Sequence, residues 1–124
     1  MEAKQPTTKK QAGNQAEALA LHYLQRQGFE LIECNFQCKT GEIDLIMKNG
    51  ETLVFVEVRY RKETQLGSPL ETITRAKQRK LYRAAQFYLQ QRCGNRWPPC
   101  RFDVIGISGE LDNFPKIEWV SNAF

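Results

Sequence analysis

The sequence predicts a single α/β domain whose mixed sheet is flanked by helices. Three observations lead there. Two stretches carry apolar residues at helical spacing. Two apolar runs flank Asn49-Gly50, a strong signal for a two-residue hairpin turn. The elements then follow in the order α, three strands, α, two strands. A chain of 124 residues, 41% hydrophobic and 26% charged, has the composition of one globular core rather than a disordered chain.

Residues 1–12, rich in Lys, Gln and Thr, read as a disordered polar tail, with the domain spanning 13–124. Ala16, Leu19, Ala20, Tyr23 and Leu24 make a helical face over 14–27, and Gly28 is suited to ending that helix. Phe29 to Phe36 reads as a strand. Gly41 to Met47 and Thr52 to Tyr60 form the hairpin, and KETQLGSP is a polar loop. Pro69 and the Thr72/Thr74 region open a second helix that runs to about Arg92. GNRWPP is a loop by its Gly and Pro content. Arg101 to Ile107 and Lys116 to Val120 are the last two strands.

The hairpin concentrates chemistry. With Asn49-Gly50 as its loop, Lys48 faces Glu51, Ile46 faces Leu53, Asp44 faces Phe55 and Glu42 faces Glu57. Side chains alternate faces with a period of two. Glu42, Asp44, Glu57 and Arg59 are thus expected on one side, with Ile43, Leu45, Val54, Val56 and Val58 on the other. Like charges opposed across a ladder are destabilising. A carboxylate inside LVFVEV is costly unless it is paired or bound to a metal. A divalent cation removes both costs, because hard cations take carboxylate oxygens. Without one, the acids would be solvated on an edge strand or paired to Arg59 and Arg61.

Net charge is +4, unevenly spread. From Arg59 to Arg83 eight basic residues, including Arg61, Arg75, Lys77, Arg79 and Arg83, stand against Glu63 and Glu71. A basic cluster beside acids suits a polyanion such as nucleic acid; a solvated helix face is the plainer reading. Lys77 falls on the apolar face of the second helix, between Ile73 and Leu81. There it either snorkels outward or reaches carboxylates at the sheet. Arg75, Arg79 and Arg83 stack on another side.

Cys34/Cys38 and Cys93/Cys100 lack the repeated close spacing of a zinc ribbon and read as free thiols. His22, the only histidine, reads as a surface or packing residue. No apolar run approaches the roughly 18 residues of a membrane span, and the polar start lacks the apolar core of a signal peptide. A cytoplasmic protein with no membrane role is expected. Trp97 and Phe124 read equally well as ligand contacts or as local packing.

The runs GEIDLI, LVFVEV and RFDV and the terminal NAF together resemble the YraN family of small bacterial proteins, over about Gly13 to Phe124. That family resembles Holliday-junction resolvases and implies a restriction-endonuclease-like fold. The resemblance implies an acid on one strand, E-x-K on the next and a glutamate on the first helix. Asp44, Glu57 and Glu17 match these positions, and Glu42 matches the glutamate of the GEID motif. Mg²⁺ or Mn²⁺ is the implied cofactor, held by Asp44 and Glu57 with Glu42 and Glu17 around them. Arg59 stands where the pattern has lysine. Guanidinium can clamp phosphate but stays protonated, so it is no base. Lys77 is then the residue to supply what Arg59 lacks.

Three functions follow as expectations. The first is a Mg²⁺- or Mn²⁺-dependent endonuclease acting on structured or branched DNA. Asp44, Glu57, Arg59 and Lys77 would be catalytic, with Arg61, Arg75, Arg79 and Arg83 on the nucleic-acid backbone. The second is a nucleic-acid binding module of the same fold with little or no catalysis. The third is a protein-interaction domain. Resolvases of this kind act as dimers, so a homodimer is a further expectation.

Overall fold

The computed structural model describes residues 8–63 and 69–124. Helix α1 (Lys9–Arg26) leads into strands β1 (Glu30–Cys38), β2 (Gly41–Asn49) and β3 (Thr52–Arg61). A single 3-10 turn (Pro69–Thr72) and helix α2 (Arg75–Cys93) follow, then β4 (Cys100–Ser108) and β5 (Lys116–Val120). The five strands form one sheet in chain order. The pair β3–β4, joined through α2, is parallel, and the other three pairs are antiparallel. This is the mixed α/β domain expected.

Helix α1 begins earlier than its apolar spacing indicates. Thr8 accepts from the Gln11 backbone N–H at 3.1 Å, and the Gln11 side chain accepts from the Thr8 N–H at 3.0 Å. This reciprocal capping box moves the start back to Lys9. Lys9 to Ala12, read from composition as tail, are therefore helical; residues 1–7 of that tail lie outside the described residues, as do 64–68 of the KETQLGSP loop.

The two faces of the sheet carry separate cores. Under α1 lie Ala16, Ala20, Leu24, Leu45, Met47, Val54, Val56, Ile105 and Ile107. Under α2 lie Ile46, Leu53, Phe55, Leu81, Ala84, Ala85, Tyr88 and Val104. β3 and β4 are buried on both faces, which is why their sequences are continuous apolar runs rather than alternating ones. Pro69 packs directly on Gly106 of β4, and a Cβ built there would sit 2.0 Å from Pro69 Cγ. The glycine lets the 3-10 turn settle on the sheet beside Arg59, its partner across the β3–β4 ladder.

The hairpin register differs from expectation by two residues. Asn49 pairs with Thr52, so Gly50-Glu51 is the loop, and Lys48 faces Leu53 and Ile46 faces Phe55. Gly50 has φ +63°, whereas Asn49 and Glu51 keep negative φ. One positive φ, at the first loop position, is the type II′ pattern. An Asn-Gly loop of type I′ would need positive φ at both residues. A shift of two preserves side-chain parity, so Val54, Val56 and Val58 still face α1 with Leu45. It also removes the predicted pairings of Asp44 with Phe55 and of Glu42 with Glu57.

Ile43 does not join them. It packs under α2 with Ile46, while Leu45 and Met47 pack under α1. Strict alternation would put residues 43, 45 and 47 on one face, so the alternation breaks around Asp44.

Candidate active site

The break at Asp44 opens the sheet. The β2–β3 ladder runs from Asn49↔Thr52 and ends at Leu45↔Val56. Beyond it, β2 still pairs with β1 as far as Cys38↔Gly41, and β3 with β4 as far as Arg61↔Ser108. The two central strands part, leaving a slot between residues 41–44 and 57–61. Asp44 sits at its apex. Its Oδ2 accepts a 2.8 Å hydrogen bond from the Val58 backbone N–H, which satisfies a donor that the parted ladder would leave unpaired.

Asp44 is approached from the side of α1 by Glu17. Oxygen atoms of Glu17, Glu42 and Asp44 all lie within 4.8 Å of one another. Asn35, on β1, holds two of these acids. Oriented so that both its amide atoms are satisfied, its side-chain nitrogen donates to Glu17 Oε2 at 3.1 Å and to Glu42 Oε1 at 3.3 Å. Asn35 has φ +55°, a conformation that Asn tolerates better than most residues. It falls between the pairs Cys34↔Leu45 and Phe36↔Ile43, level with Asp44. A cleft of about 330 Å³ beside the group is lined by Asn14, Glu17, Ala18, Leu21, Cys34, Asn35 and Leu45.

Glu57 approaches from the side of α2. It is 6% exposed, and Lys77 Nζ lies 3.6 Å from its Oε1. Lys77 therefore reaches the acids instead of snorkelling away from them. It stands in the first turn of α2, which contains no acidic residue, so its charge opposes the positive end of the helix and Glu57 compensates it. Arg59 Nε is 3.9 Å from Glu57 Oε1, and Arg59 Nη2 donates to the Thr72 carbonyl at 3.4 Å. The buried Arg59 Nε itself has no hydrogen-bond partner.

Glu42, Asp44, Glu57 and Arg59 do not share one face as alternation predicted. Glu17, Glu42 and Asp44 meet on the α1 side, while Glu57 lies with Lys77 and Arg59 under α2. They converge through the slot, where Asp44 is the common neighbour. The electrostatics reflect this. Burial, then the charges of Asp44 and Glu42, push Glu17 up to about 7. Burial, then the Asp44 charge, push Glu57 up to about 7 against the pull of Lys77 and Arg59. Burial also raises Asp44, although the Val58 N–H and Lys77 favour its charged form. Burial is the first cause at all three carboxyls, and at Glu57 the charges of Lys77 and Arg59 offset only part of it. The all-oxygen group of Glu17, Glu42 and Asp44 fits a hard divalent cation; Glu57 stands outside that group and feels the Asp44 charge.

The remaining predicted residues line the surroundings. Arg61 is exposed at the end of β3, and Arg75, Arg79 and Arg83 are exposed along α2. His22 is exposed on α1, and all four cysteines are free thiols. No helix among the described residues is long and apolar enough to cross a membrane.

Residues 16–107 match the family described as Uncharacterised protein family UPF0102. The chain belongs to the UPF0102 family. This is the family, also called YraN, that its motifs resemble. A UPF0102 protein of Pseudomonas syringae pv. syringae (strain B728a) is 51% identical over 120 residues, covering 97% of this chain and 98% of its own. One from Nitrosococcus oceani is 50% identical, covering 96% and 95%. One from Vibrio campbellii is 50% identical, covering 94% and 93%. These relatives match the chain over nearly its whole length.

Sequence reasoning missed three contributors. Asn35 lies in a stretch, ECNFQC, with no alternation to mark it. The Thr72 carbonyl is invisible in sequence because any residue would supply it. Asp103, of the RFDV motif, is fully buried and holds the far side of the sheet. It accepts from Arg101 Nε at 3.0 Å, Trp119 Nε1 at 3.0 Å and the Asn122 N–H at 2.9 Å. An acid inside an apolar strand was the available signal, the same one that marked Glu57.

Proposed function

We propose that this UPF0102 protein is a Mg²⁺- or Mn²⁺-dependent endonuclease that cleaves phosphodiester bonds in structured or branched DNA. The observation that carries the reading is the meeting of Asp44, Glu57 and Lys77 at the slot between β2 and β3. Lys77 lies 3.6 Å from Glu57, and its charge and that of Glu57 act on the same locus as Asp44, a grouping that matches the pattern the family resemblance implies and suits metal-assisted phosphodiester hydrolysis. A bound divalent cation would lower the pKa of a water and neutralise phosphate oxygens.

The protein's own groups divide the remaining work. Asp44, fixed by the Val58 N–H, and Glu42, fixed by Asn35, present oxygens whose positions are set before any ligand arrives. Glu57, held in the metal-free site at about 7 chiefly by burial, is a candidate proton acceptor beside the cation, whose charge would favour its ionised form. Lys77 favours the charged form of Glu57 and supplies a cation to the same locus. Arg59 keeps an unpartnered buried N–H, a donor suited to a phosphate oxygen. The exposed arginines of α2 and Arg61 supply contacts to flanking phosphates. Branched DNA as the substrate rests on the family resemblance.

One observation favours a second reading, a nucleic-acid binding module with little catalysis: Arg59 replaces the lysine of the E-x-K pattern. Incubating the protein with duplex, forked and four-way DNA in Mg²⁺ and in Mn²⁺ separates the two. Cleavage of any substrate, lost on chelation and in Asp44→Ala, supports the nuclease. Absence of cleavage, together with no metal uptake in calorimetric titration, overturns it in favour of the binding module.

A further inference from the structure

A second cleft, of about 400 Å³, lies between the middle of α2 and the C-terminal residues. Five aromatic residues line it, the buried Phe55 and, further out, Tyr82, Trp97, Phe102 and Phe124. Phe102 and Phe124 stack on one another with centroids 5.0 Å apart, and Tyr82 stands edge-on to both, at 4.9 and 5.7 Å. Phe102 is buried in that packing, while Tyr82 remains 41% exposed and Trp97, outside it, is 46% exposed. Gln86 and Asn122 are among the residues lining the cleft and bring amide side chains to it. Tyr82 and Trp97 thus present two exposed aromatic side chains at one cleft, a feature that can mark a ligand-binding groove.

The charge around the cleft selects the ligand. From Arg75 to Arg101 the sequence carries eight basic residues and no acidic one. Arg75, Arg79, Tyr82 and Gln86 follow one another at spacings of four, three and four, so one exposed stripe of α2 runs from the arginines into the cleft. Lys77, at the acidic slot, precedes Gln86 by nine residues. That is about 13 Å of helix, the length of about four stacked nucleotides.

We propose that this cleft is a base-stacking subsite for an unpaired nucleic-acid strand whose backbone follows the α2 arginines. Rings offer every base a π-face, and the two amides offer hydrogen bonds to base edges, so an unpaired base has what it needs and a paired one is excluded. The subsite rests on the nucleic-acid reading of the slot and narrows its substrate to DNA with a single-stranded segment, such as a fork or junction.

The test is binding of a short labelled oligothymidylate to the full chain in EDTA, where no cleavage intervenes. A strand of the same length with abasic sites throughout keeps the phosphates and lacks the bases. The wild type should prefer the thymidylate strand and show quenching of Trp97 emission, read against Trp97→Phe. Trp97→Ala and Tyr82→Ala should each weaken thymidylate binding about tenfold, leave abasic binding unchanged, and retain wild-type circular dichroism. Tyr82→Phe should retain affinity. Trp97 tolerates replacement structurally because its one hydrogen bond is to the Gly94 carbonyl in an exposed loop.

Equal affinity for thymidylate and abasic strands, or unchanged affinity in both alanine variants, overturns the subsite and leaves the nuclease reading standing. No binding of either strand at low salt overturns both. A Trp97 emission change that follows protein concentration alone, with a dimer in sedimentation, overturns the subsite by assigning the cleft to a second copy of the chain.

Discussion

Asp44 Oδ2 lies 2.8 Å from the Val58 backbone nitrogen, and this side-chain hydrogen bond closes the end of the β2–β3 ladder. An acid thus takes the place of a main-chain acceptor where two central strands separate. The carboxylate is anchored by backbone and is immobile before any ligand binds. The same bond couples the site to the fold.

Replacing Asp44 should therefore affect both chemistry and stability. Asp44→Ala is expected to abolish cleavage while leaving nucleic-acid binding near wild type, and to cost about 1–3 kcal/mol by stranding the Val58 N–H. Glu57→Ala should abolish cleavage as well. Single-turnover cleavage, anisotropy binding and denaturant unfolding of each variant check this. An Asp44→Ala protein that cleaves normally would remove the residue from the reaction.

Arg59 and Lys77 are separable. Arg59→Lys should retain or raise cleavage, because it restores a group that can exchange a proton. Lys77→Ala should lower cleavage by about a hundredfold, since its ammonium is 3.6 Å from Glu57. It should also raise the apparent pKa of the pH–rate profile, because Lys77 is a group that holds the Glu57 pKa down. An unchanged profile would assign Lys77 a packing role.

The acids make metal-free stability pH-dependent. Glu17 and Glu57 rise from 4.5 to about 7 on folding, so the folded chain binds more protons than the unfolded chain between those values. Their contribution is complete below about 4.5 and is lost as pH rises through 7. In EDTA the melting temperature should fall over that window, and Glu57→Gln should flatten the fall. Saturating Mg²⁺ should restore several degrees at pH 8 by supplying countercharge. Calorimetry across pH checks the sign.

The α2 arginines should act on affinity, not sequence preference. Alanine at Arg75, Arg79 and Arg83 together should weaken binding about uniformly across sequences and reduce the slope of log affinity against log salt by about two to three. Unchanged affinity in the triple variant would favour a protein-interaction role for this helix.

Gly106→Ala should act at a distance from the acids. Its methyl group would overlap Pro69 and lift the 3-10 turn that carries the Thr72 carbonyl to Arg59. A loss of about 1–3 kcal/mol is expected, with a larger fall in cleavage than in binding. Equal falls in both would show that Arg59 does not depend on the turn.

The sequence by itself determined the order of elements, the hairpin of apolar runs and the identity of the acids on it. Each of these is written in local chemistry: the apolar periods of two and 3.6, a glycine turn, and a glutamate set among valines. Helical spacing also put Lys77 on the face that meets the sheet. Tertiary structure decided the rest. The loop shifted from Asn49-Gly50 to Gly50-Glu51 because turn geometry, not composition, sets which residues close a hairpin. Alternation predicted one acidic face, but it holds only while strands stay paired. Once β2 leaves β3 at Asp44, the faces cease to be separate, and Asn35 joins the group beside Glu17, which the family motif alone had marked. Such contacts depend on where non-adjacent segments meet. A one-dimensional pattern carries no signal for that.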